Sequence, residues 1–255
     1  MNPILKTENL SINFGGQTAV DNVTCEIPEK HFKSIIGPNG AGKTTLFNLI
    51  SGELRPTHGE VYLKDEKITH LSSVERSRLG IGRSFQITNV FPNLTVLENV
   101  RLAVQSREKI MFHMFRFAKS YQRLIDEARH ILERVLLIEK ENQIASQLSH
   151  GEKRKLELAM LIALDSEILL LDEPTAGMSL EEVQLILEVI HEIKQAGDKT
   201  ILLIEHKMDM ILDLSDSIMV LFNGQLLADG SPEEIMNNEL VEEAYLGGLY
   251  DDDIA

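Results

Sequence analysis

The sequence predicts an α/β protein: a mainly parallel sheet, with an antiparallel β subdomain at its N-terminal side and an α-helical subdomain inserted in mid-chain. Three observations lead there. Residues 32–36, 168–171 and 200–204 are short, mainly apolar runs separated by helical patterns, as expected of strands buried on both faces of a parallel sheet. Residues 4–14 and 19–27 are longer extended segments joined across Gly15-Gly16, which suits an antiparallel hairpin. From residue 90 to 163 strand signals vanish and helical spacing dominates.

Each element has a local reason. After the strand at 32–36 comes a Gly-rich turn and then a helix over 43–51, stopped by Gly52. Residues 60–68 read as a further strand element on the edge of the early sheet, and residues 81–85 as a short strand before the helical block. Thr95 and Glu98 have capping-box spacing. Residues 121–137 place Leu124, Ala128, Ile131, Leu132 and Val135 at helical intervals with charges between them. The Phe- and Met-rich stretch 111–117 reads as local packing within the helical insertion. Residues 148–152 open a helix over 153–164. Ser179 with Glu182 caps a helix running to 195, and Gly197 ends it. Residues 217–222 and 225–228 flank Asn223-Gly224, a hairpin signal. Ser231-Pro232-Glu233-Glu234 opens a last helix, and Asp251-Asp252-Asp253 reads as a solvated tail. There is no internal repeat. The expectation is one domain over residues 1–255: 1–86 with 164–255 as β subdomain and core, and 87–163 as the helical insertion.

Composition narrows the function. The 255 residues carry 25 Lys+Arg against 40 Asp+Glu, a formal charge of −15. Phosphate-backbone neutralisation needs a basic surface, so nucleic acid is not expected as a partner. No segment approaches the roughly 20 apolar residues of a membrane-spanning helix. The N-terminus lacks the basic-then-apolar pattern of a secretory signal. Cys25 stands alone, which leaves neither an internal disulfide nor a thiolate cluster and reads as a small strand residue. A cytoplasmic, soluble protein is expected.

The chemistry concentrates at strand ends. Gly37-Pro38-Asn39-Gly40-Ala41-Gly42-Lys43-Thr44-Thr45 matches the phosphate-binding loop G-x-x-x-x-G-K-[ST] and lies between a strand and a helix, the context such a loop requires. Its glycines let successive N–H groups face a phosphate, and the helix N-terminus adds its positive dipole end. Lys43 supplies a charge for the β- and γ-phosphates, and the Thr44 hydroxyl a ligand for Mg²⁺. Asp172 and Glu173 emerge from the apolar strand at 168–171. Asp172 is assigned to Mg²⁺ through water, and Glu173 to polarising the attacking water. Two acids at a strand end mean little alone; paired with the loop they become specific. His206 follows the strand at 200–204 and can reach the γ-phosphate. Gln86, at the end of the 81–85 strand, can touch metal and water while sensing movement of the helical insertion. Ser149 and Glu152 satisfy a capping box, so residues 148–152 read either as a well-capped helix start or as a second anion site offering Ser149 and the Gly151 N–H. Spacing does not decide between them.

In order and spacing these motifs resemble the ATP-binding cassette proteins along nearly the whole chain. Residues 37–45 resemble the Walker A motif, Gln86 the Q-loop, 148–152 the signature motif, 168–173 Walker B, 176–179 the D-loop and His206 the switch histidine. The resemblance implies a P-loop NTPase (RecA-like) core. It makes Phe14 the aromatic that stacks on adenine, with Val20 packing nearby. Two departures stand out: His150 and Glu152 replace the usual Gly and Gln of the signature, and Gly177-Met178-Ser179 replaces the common Ala-Leu-Asp. Altered tuning of ATP hydrolysis is expected from them, not its loss.

Phe85-Gln86, residues 91–100, Ile204-Glu205-His206 and residues 229–246 with Ala244-Tyr245-Leu246-Gly247 resemble the ATPase subunits of bacterial branched-chain amino-acid and urea importers. The resemblance implies ATP and Mg²⁺ as cofactors and a sandwich dimer with itself or a second ATPase. It also implies membrane permease subunits as partners at the cytoplasmic face of the membrane, and indirectly a substrate-binding protein. The cargo stays open between branched-chain amino acids and urea- or amide-type solutes. A soluble cassette ATPase outside transport and a P-loop kinase are the readings from other classes.

Overall fold

The computed structural model of the chain describes residues 3–84, 90–108 and 117–244. β1 (Pro3–Phe14) and β2 (Gln17–Pro28) form the expected hairpin, with Phe14 opposite Gln17. The chain then crosses to a second sheet as β3 (Phe32–Ile36) and enters α1 (Lys43–Ser51) through residues 37–42. It returns to the first sheet as β4 (His58–Leu63) and β5 (Glu66–Lys67), giving the antiparallel order β2-β1-β4-β5. A short α2 (Ser73–Arg78) leads to β6 (Ile81–Arg83). The helical block contains α3 (Val96–Arg107), α4 (Phe117–Arg134) and α5 (His150–Ala163). The chain re-enters the second sheet as β7 (Ile168–Asp172), α6 (Leu180–Ala196) and β8 (Thr200–Ile204), followed by α7 (Met208–Leu214). β9 (Ser217–Phe222), β10 (Gln225–Gly230) and α8 (Pro232–Met236) complete it. The second sheet has the order β10-β9-β3-β8-β7-β6; only the β10–β9 pair is antiparallel.

Apolar strands are needed here because both faces of the sheet are covered. Along β7, Leu169 and Leu171 pack with Leu156 of α5 and Ile190 of α6, while Leu170 packs with Phe47 and Ile50 of α1 and Leu10 and Val23 of the antiparallel sheet. β8 alternates in the same way, with Leu203 on one side and Leu202 and Ile204 on the other. Each such side chain is worth about 1.5–3 kcal/mol relative to exposure. Val100 of α3 and Leu132 of α4 belong to the same cluster as Leu169 and Leu203, so the helical block shares the core of the sheet instead of building its own.

The structure departs from the sequence reading in instructive places. Thr95 caps α3 by accepting from the Glu98 N–H, but the reciprocal arm of the box is missing: the Glu98 carboxylate turns to Arg101 at 2.8–3.0 Å. A buried guanidinium outcompetes a neutral N–H for a carboxylate. α5 starts at His150, earlier than expected, because Ser149 is its N-cap. α2 and α7 escaped the sequence reading, being too short to show a helical period. α2 nonetheless has a full capping box from Ser72 and Glu75. Its Arg76 is buried and donates to the Leu49 and Ile50 carbonyls at 2.7 and 2.8 Å, closing the C-terminal end of α1. Burial pushes that guanidinium's pKa down to about 10. Residues 111–116 and the acidic tail lie outside the described residues.

Candidate functional site

The phosphate-type loop is built on close backbone approach. Gly37 has φ 152°, and a Cβ there would stand 2.1 Å from the Leu221 carbonyl oxygen; at Gly42, φ 96°, it would stand 2.4 Å from the Ala19 oxygen. No side chain fits at either position. The β9–β10 turn braces the loop: the Gly224 N–H donates to the Ala41 oxygen at 3.1 Å, and the Gly224 carbonyl accepts from the Asp21 N–H at 2.8 Å. The Asn223-Gly224 hairpin thus does more than join two strands. Pro38 accepts from the Ala41 N–H, while Asn39 and Gly40 are exposed. Gly42 is the N-cap of α1 with no side-chain cap, and Lys43, Thr44 and Thr45 form its first turn. Lys43 is buried, and its Nζ donates to the Gly37 and Pro38 carbonyls at 2.7 and 3.0 Å. Burial lowers its pKa, with Glu173 and Asp172 opposing the shift.

β7 delivers Asp172 and Glu173 beside this loop. Asp172 is buried, its Oδ2 accepts from Arg83 Nη2 at 2.9 Å, and the Thr44 hydroxyl lies next to its carboxyl. Burial raises its pKa, against Arg83 and Thr44. Glu173 sits just beyond the strand with φ 46°, a left-handed conformation costing about 1–2 kcal/mol for a residue with a Cβ. Its N–H bonds the Ile204 oxygen at 2.8 Å, and its Oε1 lies 2.9 Å from His206 Nε2. Glu205, buried next door, holds this turn: it accepts from the Thr175 hydroxyl, from the Thr175 N–H at 3.2 Å and from the His206 N–H at 2.9 Å. Lys43, Thr44, Asp172, Glu173 and His206 therefore converge at the carboxyl ends of the adjacent strands β3, β8 and β7, where ligands bind in open α/β sheets.

Ser149 and Gly151 sit apart from that cluster. Each hydrogen-bond partner described for their N–H groups and the Ser149 hydroxyl lies on α5 or α6, none on the 37–45 loop. Ser149 and Glu152 make the full capping box: the Ser149 N–H donates to Glu152 Oε2 at 2.9 Å, and the Glu152 N–H returns to Ser149 Oγ at 3.3 Å. Glu152 also pairs with Lys140. Burial pushes its carboxyl up, but Lys140 and Ser149 together outweigh that and hold it below the usual range. The Gly151 N–H is already engaged, at 3.2 Å, by Glu182 Oε1 of α6. Glu182 completes the capping box of α6 with Ser179, whose N–H and hydroxyl keep its carboxyl low. A cavity of about 570 Å³ opens beside Ser149, Gly151, Lys155 and Leu185.

Of the residues assigned to the base, Phe14 is half-exposed at the end of β1, whereas Val20 has no exposed surface. Val20 Cγ2 would stand 3.4 Å from a Cβ on Gly42, so it backs the loop from beneath and offers no surface to a ligand. Gln86 lies outside the described residues. Sequence reasoning missed three carriers of the site: Arg83, Glu205 and the Gly151 contact of Glu182. The first and last are contacts across 89 and 31 residues, which no local pattern announces.

Comparisons with known proteins agree with this geometry. The ABC transporter family profile matches residues 20–176, and a profile described as branched-chain amino acid ATP-binding cassette transporter matches residues 225–251. The high-affinity branched-chain amino acid transport ATP-binding protein LivG of Salmonella typhimurium is 40% identical over 250 residues, 96% of this chain and 98% of LivG. Among solved structures, the ADP conformation of an ATP-binding cassette of an ABC transporter superposes with a TM-score of 0.81 at 31% identity, covering 97% of this chain and 100% of that one. A dimeric cassette in a post-hydrolysis state, bound to ADP and Pi, gives 0.76 at 26% identity, over 89% of this chain and 98% of that one.

Proposed function

The chain belongs to the ABC transporter family of ATP-binding cassettes, and on that premise we propose that it is the ATP-hydrolysing subunit of an importer carrying branched-chain amino acids. The observation that carries the reading is the meeting of the loop lysine, two strand-end carboxylates and a histidine at one sheet edge, with Glu173 and His206 in direct contact at 2.9 Å.

The residues present fit a Mg²⁺–nucleotide. A hydroxyl and a carboxylate, Thr44 and Asp172, lie side by side; Mg²⁺ takes hard oxygen ligands and is held by one or two protein groups together with phosphates and water. When bound, the metal neutralises charge on the phosphates. The protein's own part begins with Lys43, which exchanges its two loop carbonyls for phosphate oxygens. Phe14 stacks on the base. Glu173 accepts a proton from water as that water attacks the γ-phosphorus; the bond to the β–γ bridging oxygen breaks, leaving ADP and phosphate. His206 holds the Glu173 carboxylate and faces the γ-phosphate, and Gln86 reports the state of the site to the helical insertion. Residues 1–86 and 164–255 act as β subdomain and core, with 87–163 as the inserted subdomain.

One chain contains one loop and one signature segment, which supports a sandwich dimer in which Ser149 and Gly151 of one subunit complete the site of the other, with itself or with a second ATPase. No helix among the described residues is long and apolar enough to cross a membrane. In the proposed assembly the chain attaches at the cytoplasmic face through permease subunits, contacted by the 87–100 region, with a binding protein delivering the solute. Reconstitution with its permease subunits in proteoliposomes tests the reading. ATP-dependent leucine uptake is expected. Urea uptake in its place reassigns the cargo, and ATP hydrolysis indifferent to permease and binding protein rejects a transport role.

A further inference from the structure

Arg83 ends β6 as a buried guanidinium whose described side-chain bonds run to Asp172 on one side and to α1 on the other. Nη2 donates to Asp172 Oδ2 at 2.9 Å. Nη1 donates to Asn48 Oδ1 at 2.5 Å and to Ser51 Oγ at 3.2 Å, and the guanidinium carbon lies 5.9 Å from the Phe47 ring centroid. Asn48, Ser51 and Phe47 all belong to α1, the helix whose first turn carries Lys43 and Thr44. Among the described residues the Arg83 Nε–H finds no acceptor. A buried ion pair with an unsatisfied donor is a poor stabilising device, since desolvation offsets most of its Coulombic gain. Apolar residues would fill this place at least as well. What the arginine does, and an apolar residue cannot, is fix a carboxylate oxygen relative to a helix through a planar fork.

We propose that Arg83 is a positioning residue for the metal–nucleotide: it clamps α1 to the end of β7 and so sets the spacing between the Thr44 hydroxyl and the Asp172 carboxylate. The guanidinium occupies one carboxylate oxygen and directs the remaining capacity of Asp172 toward Thr44. This inference rests on the nucleotide-binding reading.

The test measures the binding of a fluorescent ADP analogue to the purified full-length chain, with EDTA and across a Mg²⁺ titration, together with Mn²⁺ binding followed by electron paramagnetic resonance in the presence of ADP. Arg83→Met is expected to leave metal-free ADP affinity within about twofold of wild type while raising the half-maximal Mg²⁺ concentration at least tenfold and weakening the Mn²⁺ signal to match. Arg83→Lys, which keeps the charge but not the fork, should recover only part of the shift. Asn48→Ala leaves the ion pair intact and loosens only the α1 side, so it should move the Mg²⁺ midpoint in the same direction by a smaller factor even if Arg83→Met does not fold. An unchanged or lowered Mg²⁺ midpoint in the folded variants overturns the proposal, as does a loss of ADP affinity that is equal with and without metal. If wild type itself binds no ADP, the nucleotide reading fails instead.

Discussion

The two half-sites proposed for this chain are built by opposite physical strategies. Around Lys43 and Asp172 the charges are buried at the ends of parallel strands, held by backbone carbonyls and a guanidinium. At Ser149 and Gly151 the surface proposed to receive an anion is a helix N-terminus, and the N–H groups there are engaged by the chain's own carboxylates, Glu152 and Glu182. The first half-site needs only Lys43 to leave two neutral carbonyls. The second must trade a carboxylate for a phosphate. The nucleotide half is therefore largely pre-organised, and the signature half carries an internal competitor for its incoming anion.

The sharpest way to break the buried half is Glu173→Gln. Replacing a general base with its amide should lower turnover by about 10²–10⁴-fold while ATP remains bound and ATP-dependent dimers persist in size-exclusion chromatography. Hydrolysis at the wild-type rate would remove Glu173 from the mechanism. Next in size is Lys43→Ala. Charge-assisted bonds are worth about 1.5–3 kcal/mol, so nucleotide affinity measured by calorimetry should fall by roughly 10- to 100-fold. Undiminished affinity would show that the loop binds phosphate through its backbone alone.

What could be read in advance follows the same division. The loop at 37–45, the apolar strands and the strand-end acids were legible because each is contiguous in sequence and carries its own period or spacing. α2 was not, although Ser72 and Glu75 held the signal, because six residues show no helical period. Arg83 and Glu182 were invisible because their partners are brought in only by the fold. The sequence departures at His150 and Glu152 point to altered tuning, whereas the structure ties Glu152 to capping and Lys140, and the carboxylate on the Gly151 N–H is Glu182.

Glu182→Ala sharpens the comparison on the exposed half because its two consequences have opposite signs. Losing the reciprocal arm of the α6 capping box should destabilise the chain, visible as a lower Tm. Freeing the Gly151 N–H should favour ATP-driven dimers, lowering the ATP concentration needed for half-maximal dimerisation by a few-fold. If stability and dimerisation fall together, Glu182 serves as a cap alone.

The smallest effect belongs to Glu152→Gln. Its charge is balanced by Lys140, and glutamine can still accept from the Ser149 N–H. The ion pair with Lys140 and the interaction of a negative charge with the start of α5 are lost, each about 0.3–1 kcal/mol, and ATP affinity should not change. The pH dependence supplies an independent check. Because the folded chain holds the Glu152 carboxyl below its usual range, its stabilising contribution is present above the unfolded carboxylate pKa and fades as pH falls through the lower folded value. The gap in Tm between wild type and Glu152→Gln should therefore be full at neutral pH and close in acid. A gap that stays constant across that range would place the effect of Glu152 in packing against Lys140 and α5 instead of in charge.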